Sequence, residues 1–469
     1  MPNNKRIVRT IGIILVALGV LLAGLLPFPR GYTEAMRRAE AYRTAEEYGA
    51  ALMAYGDASR LDARSPEPAL WRGEVLLMQR RFGEAARAFV QAVQRGGGAT
   101  AWLGLGEARA GQGDWAAALE AWYRAQALAP AESRVLVALA RGNLAQGRFE
   151  QAEEDAKRTL AAAPSPAVSA EAHALVGKLE LTDDLDTAAA HLQAAGENDL
   201  VAAVAAAAQA SAEGMPARSE MLLGTAFLRR GELPLARRHL ERAVALAPDD
   251  AEPLAYLAHT LDRMGATGEA RPLLERALGL DPDSVLAYYF LGLHNKQVGH
   301  LPAAQAALWE AAQRDPENAA VRVEMAEAFV ALGEYNRAEE WYVGAVEAAP
   351  GDLEFQLLLG HFYVDHLYRL EQGGLAAAQA AVALAPGDPR GHDLLGWALF
   401  LVGRVTEGRE VLEHALDLDP RMASAHYHLG TLCAHTGEIE AARRHLQRAV
   451  DLDTVGVYRE RAMQVLAEL

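Results

Sequence analysis

AAVRVEMAEAFVALGEYNRAEEWYVGAVEAAPGD, residues 319–352, holds two short apolar-periodic segments parted by Gly333 and closed by Pro350. With Ala319 as position 1, the small residues Ala326, Ala338 and Ala345 fall at positions 8, 20 and 27, and Tyr335 and Tyr342 at 17 and 24. Two helices approach closely only where their side chains are small, so this spacing predicts an antiparallel hairpin that turns at Gly333. Pro350 cannot continue the second helix and fixes the turn that follows it. Outward from this stretch the same proline recurs: Pro248, Pro282, Pro316 and Pro350 stand 34 residues apart. A fixed period of this kind marks a repeat architecture, in which no hairpin buries its apolar face alone and neighbours must stack.

The pattern resembles the tetratricopeptide repeat, a 34-residue helix-turn-helix unit with small residues at 8, 20 and 27, an aromatic near 24 and proline at 32. It recurs here as Gly292, Ala304, Ala311 and Pro316, and again as Gly224, Ala236, Ala243 and Pro248. The resemblance implies an all-α fold, a right-handed superhelical solenoid of about twelve such units.

Along the chain, an N-terminal array is expected over residues 31–202. Its best unit carries Trp102, Gly106, Gly113, Trp115, Ala118, Trp122, Ala125 and Pro130. Pro164 and Pro248 are 84 residues apart, which is not a multiple of 34, so the array is expected to be interrupted by a helical junction at 203–216. The alanine content there predicts a lengthened helix and a turn at Gly214 to Pro216. A C-terminal array follows over 217–456, and residues 457–469 read as a capping helix. The unit from Leu353 is two residues longer than the others, and its hairpin loop around Asp365 to Gln372 is expected to be irregular.

Ahead of the repeats, Ile11 to Leu26 contains no charge, and Lys5, Arg6 and Arg9 precede it. A basic start before an apolar core fits either a cleaved signal peptide or a retained signal anchor. No small-x-small cleavage site stands between Ala23 and Gly31. The segment 1–30 is therefore expected to be one transmembrane helix that holds the chain in the membrane through residues 7–28. Arginine outnumbers lysine about tenfold, which with the alanine excess points to a GC-rich bacterial genome. The expectation is a single-pass protein of the bacterial cytoplasmic membrane with its repeats on the extracytoplasmic side.

Acidic residues outnumber basic ones by 62 to 45, for a net charge of -17, which argues against nucleic acid as a partner. The chain contains no phosphate-binding loop, no His-Glu-x-x-His, no Gly-x-Ser-x-Gly and no paired Cys-x-x-Cys. His426, His428, Cys433 and His435 share a helix but not a face. His428 and His435 lie about two turns apart, too far to share one ion. No catalytic, cofactor-binding or metal residue is assigned, and no small-molecule substrate is expected. Cys433 is the only cysteine, which excludes an internal disulfide framework.

What the resemblance implies instead is a partner-binding groove lined by the first helix of each unit, at positions 2, 5, 9, 12 and 13. Carried onto this chain, those positions give Tyr289, Leu293, Val323, Val330, Leu357, His361, Trp397, Phe400, Leu401 and Tyr427. Large apolar residues there suit a partner peptide or helix, although close superhelical packing would bury some of them. The family's carboxylate clamp is poorly matched, because lysine occurs only at Lys5, Lys157, Lys178 and Lys296. The expectation is a non-enzymatic, membrane-anchored scaffold or adaptor for proteins or peptides, acting in assembly of a membrane or envelope complex. Its alternatives are a permanent subunit of such a complex or a recruiting subunit of an envelope-biogenesis enzyme.

Overall fold

A computed structural model describes residues 30–453 and 456–469, and all regular structure among them is helical. The chain divides into two compact units, one ending at Pro130 and the other beginning at Ala131.

The first unit stacks the hairpins Arg30–Thr44 with Tyr48–Leu61, Glu67–Met78 with Phe82–Gln94, and Gly98–Gly111 with Trp115–Leu128. Tyr55, Phe89 and Trp122, its largest fully buried side chains, occupy the same place, position 24, in successive second helices. The later two fit only because the first helix offers no side chain opposite. A Cβ on Gly73 would stand 2.6 Å from Phe89 Cζ, and one on Gly106 would stand 2.2 Å from Trp122 Nε1.

The second unit opens with the hairpins Ser133–Ala145 with Phe149–Ala161 and Pro166–Glu180 with Leu185–Ala195. A run of further hairpins extends from Pro216–Arg230 to Ile439–Leu452, and Val457–Glu468 ends the chain. Most turns within these hairpins follow one scheme. Gly265, Gly299 and Gly333 take left-handed φ of 83°, 79° and 73°, a conformation that costs glycine little. The next residue then closes the helix end, as where His300 N–H donates to Asn295 O at 2.8 Å and Glu334 N–H to Phe329 O at 2.9 Å. Between units, five successive first helices are capped by the residue just before them: the side chains of Asp250, Ser284, Asn318, Asp352 and Asp388 accept from the first-turn N–H groups.

Two stretches break the regular hairpin scheme, the first against expectation and the second where an irregular loop was expected. The alanine-rich segment is not an extension of its neighbour. Leu185–Ala195 stops at Gly196, with φ 80°, and Asn198–Ala212 is a separate helix. Its Leu200, Val204 and Ala207 are buried with Leu192, Leu223 and Phe227, so one core runs through residues 203–216. An ion network holds the ends of this region together. Arg230 donates to Glu197 at 2.7 Å, Asp199 at 2.6 Å and Glu232 at 2.8 Å, and Lys178 reaches Glu232 at 3.0 Å. In the unit from Leu353, the two extra residues are absorbed after the helix Leu353–Asp365. Leu367 and Arg369 take positive φ of 50° and 43°, and a π-helical turn, Leu370–Gly374, leads into Leu375–Leu384.

The expected transmembrane helix, and with it the single-pass placement in the bacterial cytoplasmic membrane, is corrected. No helix among the described residues is long and apolar enough to cross a membrane. Their longest members run to 15 residues, against the roughly 20 a bilayer requires. Residues 7–28, on which the anchor was placed, lie outside the described residues.

Candidate partner-binding groove

In the second unit, first helices of neighbouring hairpins touch one another directly. Ala251–Arg263 packs on Val285–Gln297, Leu353–Asp365 on Pro389–Leu401, Pro389–Leu401 on Ala423–His435, and this last on Val457–Glu468. Among the described residues no two second helices pack together to the same extent. The first helices therefore form an inner layer, on the side where the stack is tightest.

Polar rungs join the members of that layer. His294 Nδ1 stands 2.9 Å from the Asp262 carboxylate, and His428 Nδ1 stands 2.7 Å from Asp393, both pairs buried. Lys296 donates to Glu324 at 2.7 Å and also to Glu327. Arg390 donates to Glu354 at 2.6 Å and is held at its root by Asp388. Burial pushes the carboxyls of Asp262 and Glu324 upward, against the pull of His294 and Lys296 respectively. Lys296 is itself raised, because its two carboxylate partners outweigh the burial that disfavours its charge.

The sequence-predicted residues fall within this layer, though not all reach its surface. Val323 and Leu357 are buried, 7% and 5% exposed, and so belong to the core. Tyr289 and Leu293 are half-buried against one cluster and Val330 against the next. His361 is half-buried on the same helix as Leu357. Trp397, Leu401, Phe400 and Tyr427 are half-buried toward the C-terminal end. There the structure gathers the aromatic rings: Trp397 stacks on His428 at 4.4 Å and on Phe400 at 5.1 Å, and lies 6.2 Å from Tyr427. Phe400 meets the edge of His435 at 5.5 Å.

Two features of the layer escaped the sequence reading. Tyr458, on the terminal helix, closes the aromatic group by packing 5.6 Å from both Tyr427 and His428. The carboxylates Glu324, Glu327, Asp365 and Asp393 share the layer with the rings. Burial first and Glu324 second push the Tyr289 hydroxyl up to about 12. Burial, then Asp393 and Asp365, do the same for Tyr458, also to about 12. The 34-residue register could have located the carboxylates but not their partners, which lie in adjacent units.

The histidines singled out in the sequence have protein partners. His426 Nε2 donates to Pro420 O at 3.1 Å, which leaves its Nδ1 to accept from His445 Nδ1 at 3.0 Å. Cys433 is buried, and burial pushes its thiol up. Among the described residues no three His, Cys, Asp or Glu side chains are grouped to hold a metal ion.

Two models of the tetratricopeptide repeat match the chain. One covers residues 227–292 and 297–362, the other 36–98, 72–133 and 394–456, and together they take in more than half of it. No curated protein matches the chain. Among solved structures, yeast Tom70 is similar at 17% identity and TM-score 0.42, over 86% of this chain and 95% of that one. A tetratricopeptide repeat protein from Parabacteroides merdae is similar at 15% identity and TM-score 0.41, over 54% of this chain and 97% of that one. MamA from Desulfovibrio magneticus is similar at 24% identity and TM-score 0.32, over 36% and 94% respectively.

Proposed function

Because the chain belongs to the tetratricopeptide repeat family, we propose that it is a non-enzymatic scaffold that holds partner proteins or peptides against the first-helix layer of its second unit and so assembles them into a larger complex. The observation that carries this reading is the aromatic group at Trp397, Phe400, Tyr427 and Tyr458. Its rings pack on one another and keep a half-exposed surface on the layer's open side. Aromatic side chains with two rotatable bonds lose little freedom on contact and supply large area, which is why they anchor interfaces. Tyr289, Leu293, Val330 and His361 extend that surface along the preceding units, whereas Val323 and Leu357 support it from beneath.

Photocrosslinking tests the reading. A benzophenone amino acid at His361, on the layer, is expected to capture one protein at constant ratio in cells. The same group at Trp309, which is 49% exposed on a second helix, is expected not to capture it. Identical capture from both positions would refute the assignment of partner binding to the first helices.

A further inference from the structure

On the reading above, we infer that the segment held against the first-helix layer between Val285 and Tyr427 is basic, a lysine- or arginine-rich stretch of a partner protein. In the layer's helices from Val285–Gln297 to Ala423–His435 the acidic side chains are Glu324, Glu327, Glu354, Asp365 and Asp393, and the basic ones Lys296, Arg322 and Arg390. Every one of those cations is already engaged. Lys296 is shared by Glu324 and Glu327, and Arg390 by Asp388 and Glu354. Arg322 is turned to the carbonyls of Pro316, at 2.7 Å, and Gly344, at 2.5 Å. Asp393 is held by His428, which leaves Asp365 as the carboxylate of the set without a partner among the described residues, and the half-exposed rings of Tyr289, Trp397 and Tyr427 offer faces on which a cation is stabilised.

Asp365 makes the case independently of the count. It is exposed and is the last residue of the helix Leu353–Asp365, where the helix dipole disfavours an anion. No ion pair to it exists among the described residues. Its charge nonetheless reaches across units: after burial and the carboxylates of Glu327 and Glu324 it raises the Tyr342 hydroxyl, and after burial and Asp393 it raises that of Tyr458. A carboxylate placed where its own helix disfavours it, exposed and without an ion pair among the described residues, suits a cation brought from outside.

The test uses the full chain and two fluorescein-labelled peptides, one of alternating lysine and leucine and one with glutamate for lysine. Anisotropy should show the lysine peptide binding, with affinity that falls as salt rises, and the glutamate peptide failing to bind. Asp365→Lys should weaken the lysine peptide by about tenfold or more. The control is Asp417→Lys, the same charge change near the end of the second helix Val405–Leu418, at another exposed aspartate. It should weaken binding by less than about twofold, since a distant exposed charge is screened. Neither variant should melt earlier than the parent chain, because each removes an anion from a helix C-terminus.

Equal weakening by both variants would overturn the inference, since diffuse negative charge would then account for the attraction. So would equal binding of the two peptides, or no binding of the lysine peptide at about millimolar concentration. Capture of the glutamate peptide from a benzophenone at His361 would leave the layer as the binding surface and remove only the charge preference. Capture of neither peptide there, together with capture from Trp309, would remove both readings.

Discussion

Replacing Gly292 with alanine sets two known effects against each other. In a helix interior alanine is favoured over glycine by about 1 kcal/mol, so an unopposed Gly→Ala change stabilises. At Gly292, however, the new Cβ would stand 2.6 Å from Leu308 Cγ and 2.7 Å from its Cδ2. Leu308 is fully buried and shares its surroundings with Met325 and Ala328, so it has no open direction in which to retreat. Overpacking of a dense core costs roughly 1 to 3 kcal/mol, which leaves a net loss of up to about 2 kcal/mol. Gly279 provides the control in the same unit: it lies in the helix Thr267–Leu280 with nothing within 4 Å of a Cβ. Gly279→Ala should therefore gain roughly 0.5 to 1 kcal/mol. Guanidinium unfolding followed by far-ultraviolet circular dichroism reads both as shifts of midpoint in opposite directions. In a Leu308→Ala background, which itself costs about 2 to 5 kcal/mol, the Gly292→Ala penalty should disappear. Gly292→Ala stabilising the chain as Gly279→Ala does would refute the close approach of the two helices.

Two further outcomes follow from charges within the second unit. His259 lies flat on Phe290, with ring centroids 4.3 Å apart, and burial first and Arg263 second lower it to about 4 from the ordinary 6.5. The unfolded chain therefore takes up a proton before the native chain does. Stability is complete above about pH 6.5 and falls as the pH drops toward about 4, by at most roughly 1.4 kcal/mol per pH unit for this group. His259→Phe should flatten that slope in thermal melts taken across the window, and an unchanged slope would exclude His259 as its source. At the alanine-rich helix, Arg230→Met leaves Asp199 without its cation and Glu197 and Glu232 with Lys178 alone, and should cost about 1 kcal/mol, as partly exposed pairs do. Hydrogen exchange should then quicken first in Asn198–Ala212, and uniform quickening throughout the unit would argue against a local clasp.

The hairpins were legible because their marks are local. Glycine at the turn and proline after the second helix are backbone requirements that hold whatever lies nearby, and they recur as a ruler. The caps at Asp250, Ser284, Asn318 and Asp352 keep the same period and were equally readable, since each immediately precedes an apolar run. Asn198–Ala212 was harder, because an alanine run states helical preference without saying where one helix ends. Only the left-handed Gly196 divides it from its neighbour. In the candidate groove, the register placed the aromatic side chains on the first helices but did not fix their depth. Val323 and Tyr289 both hold position 5 of their units, yet the first is core and the second retains a surface, because depth depends on how each neighbouring unit abuts. The carboxylates went unread for the same reason: whether Glu327 or Asp365 is neutralised depends on whether the adjoining unit supplies a Lys296.

The reciprocal sizes at positions 8 and 24 bear on how such a chain can be rearranged by duplication and recombination. Gly106 faces Trp122, Gly292 faces Leu308 and Gly396 faces Leu412, each with no space for a Cβ as the side chains stand. A crossover that exchanges a whole hairpin carries lock and key together. One that breaks within the turn separates them, and would set a tryptophan placed like Trp122 against a residue that carries the Cβ Gly106 lacks. The heritable module of this architecture is thus the hairpin, and junctions between exchanged segments belong at the loop prolines, not at the turn glycines.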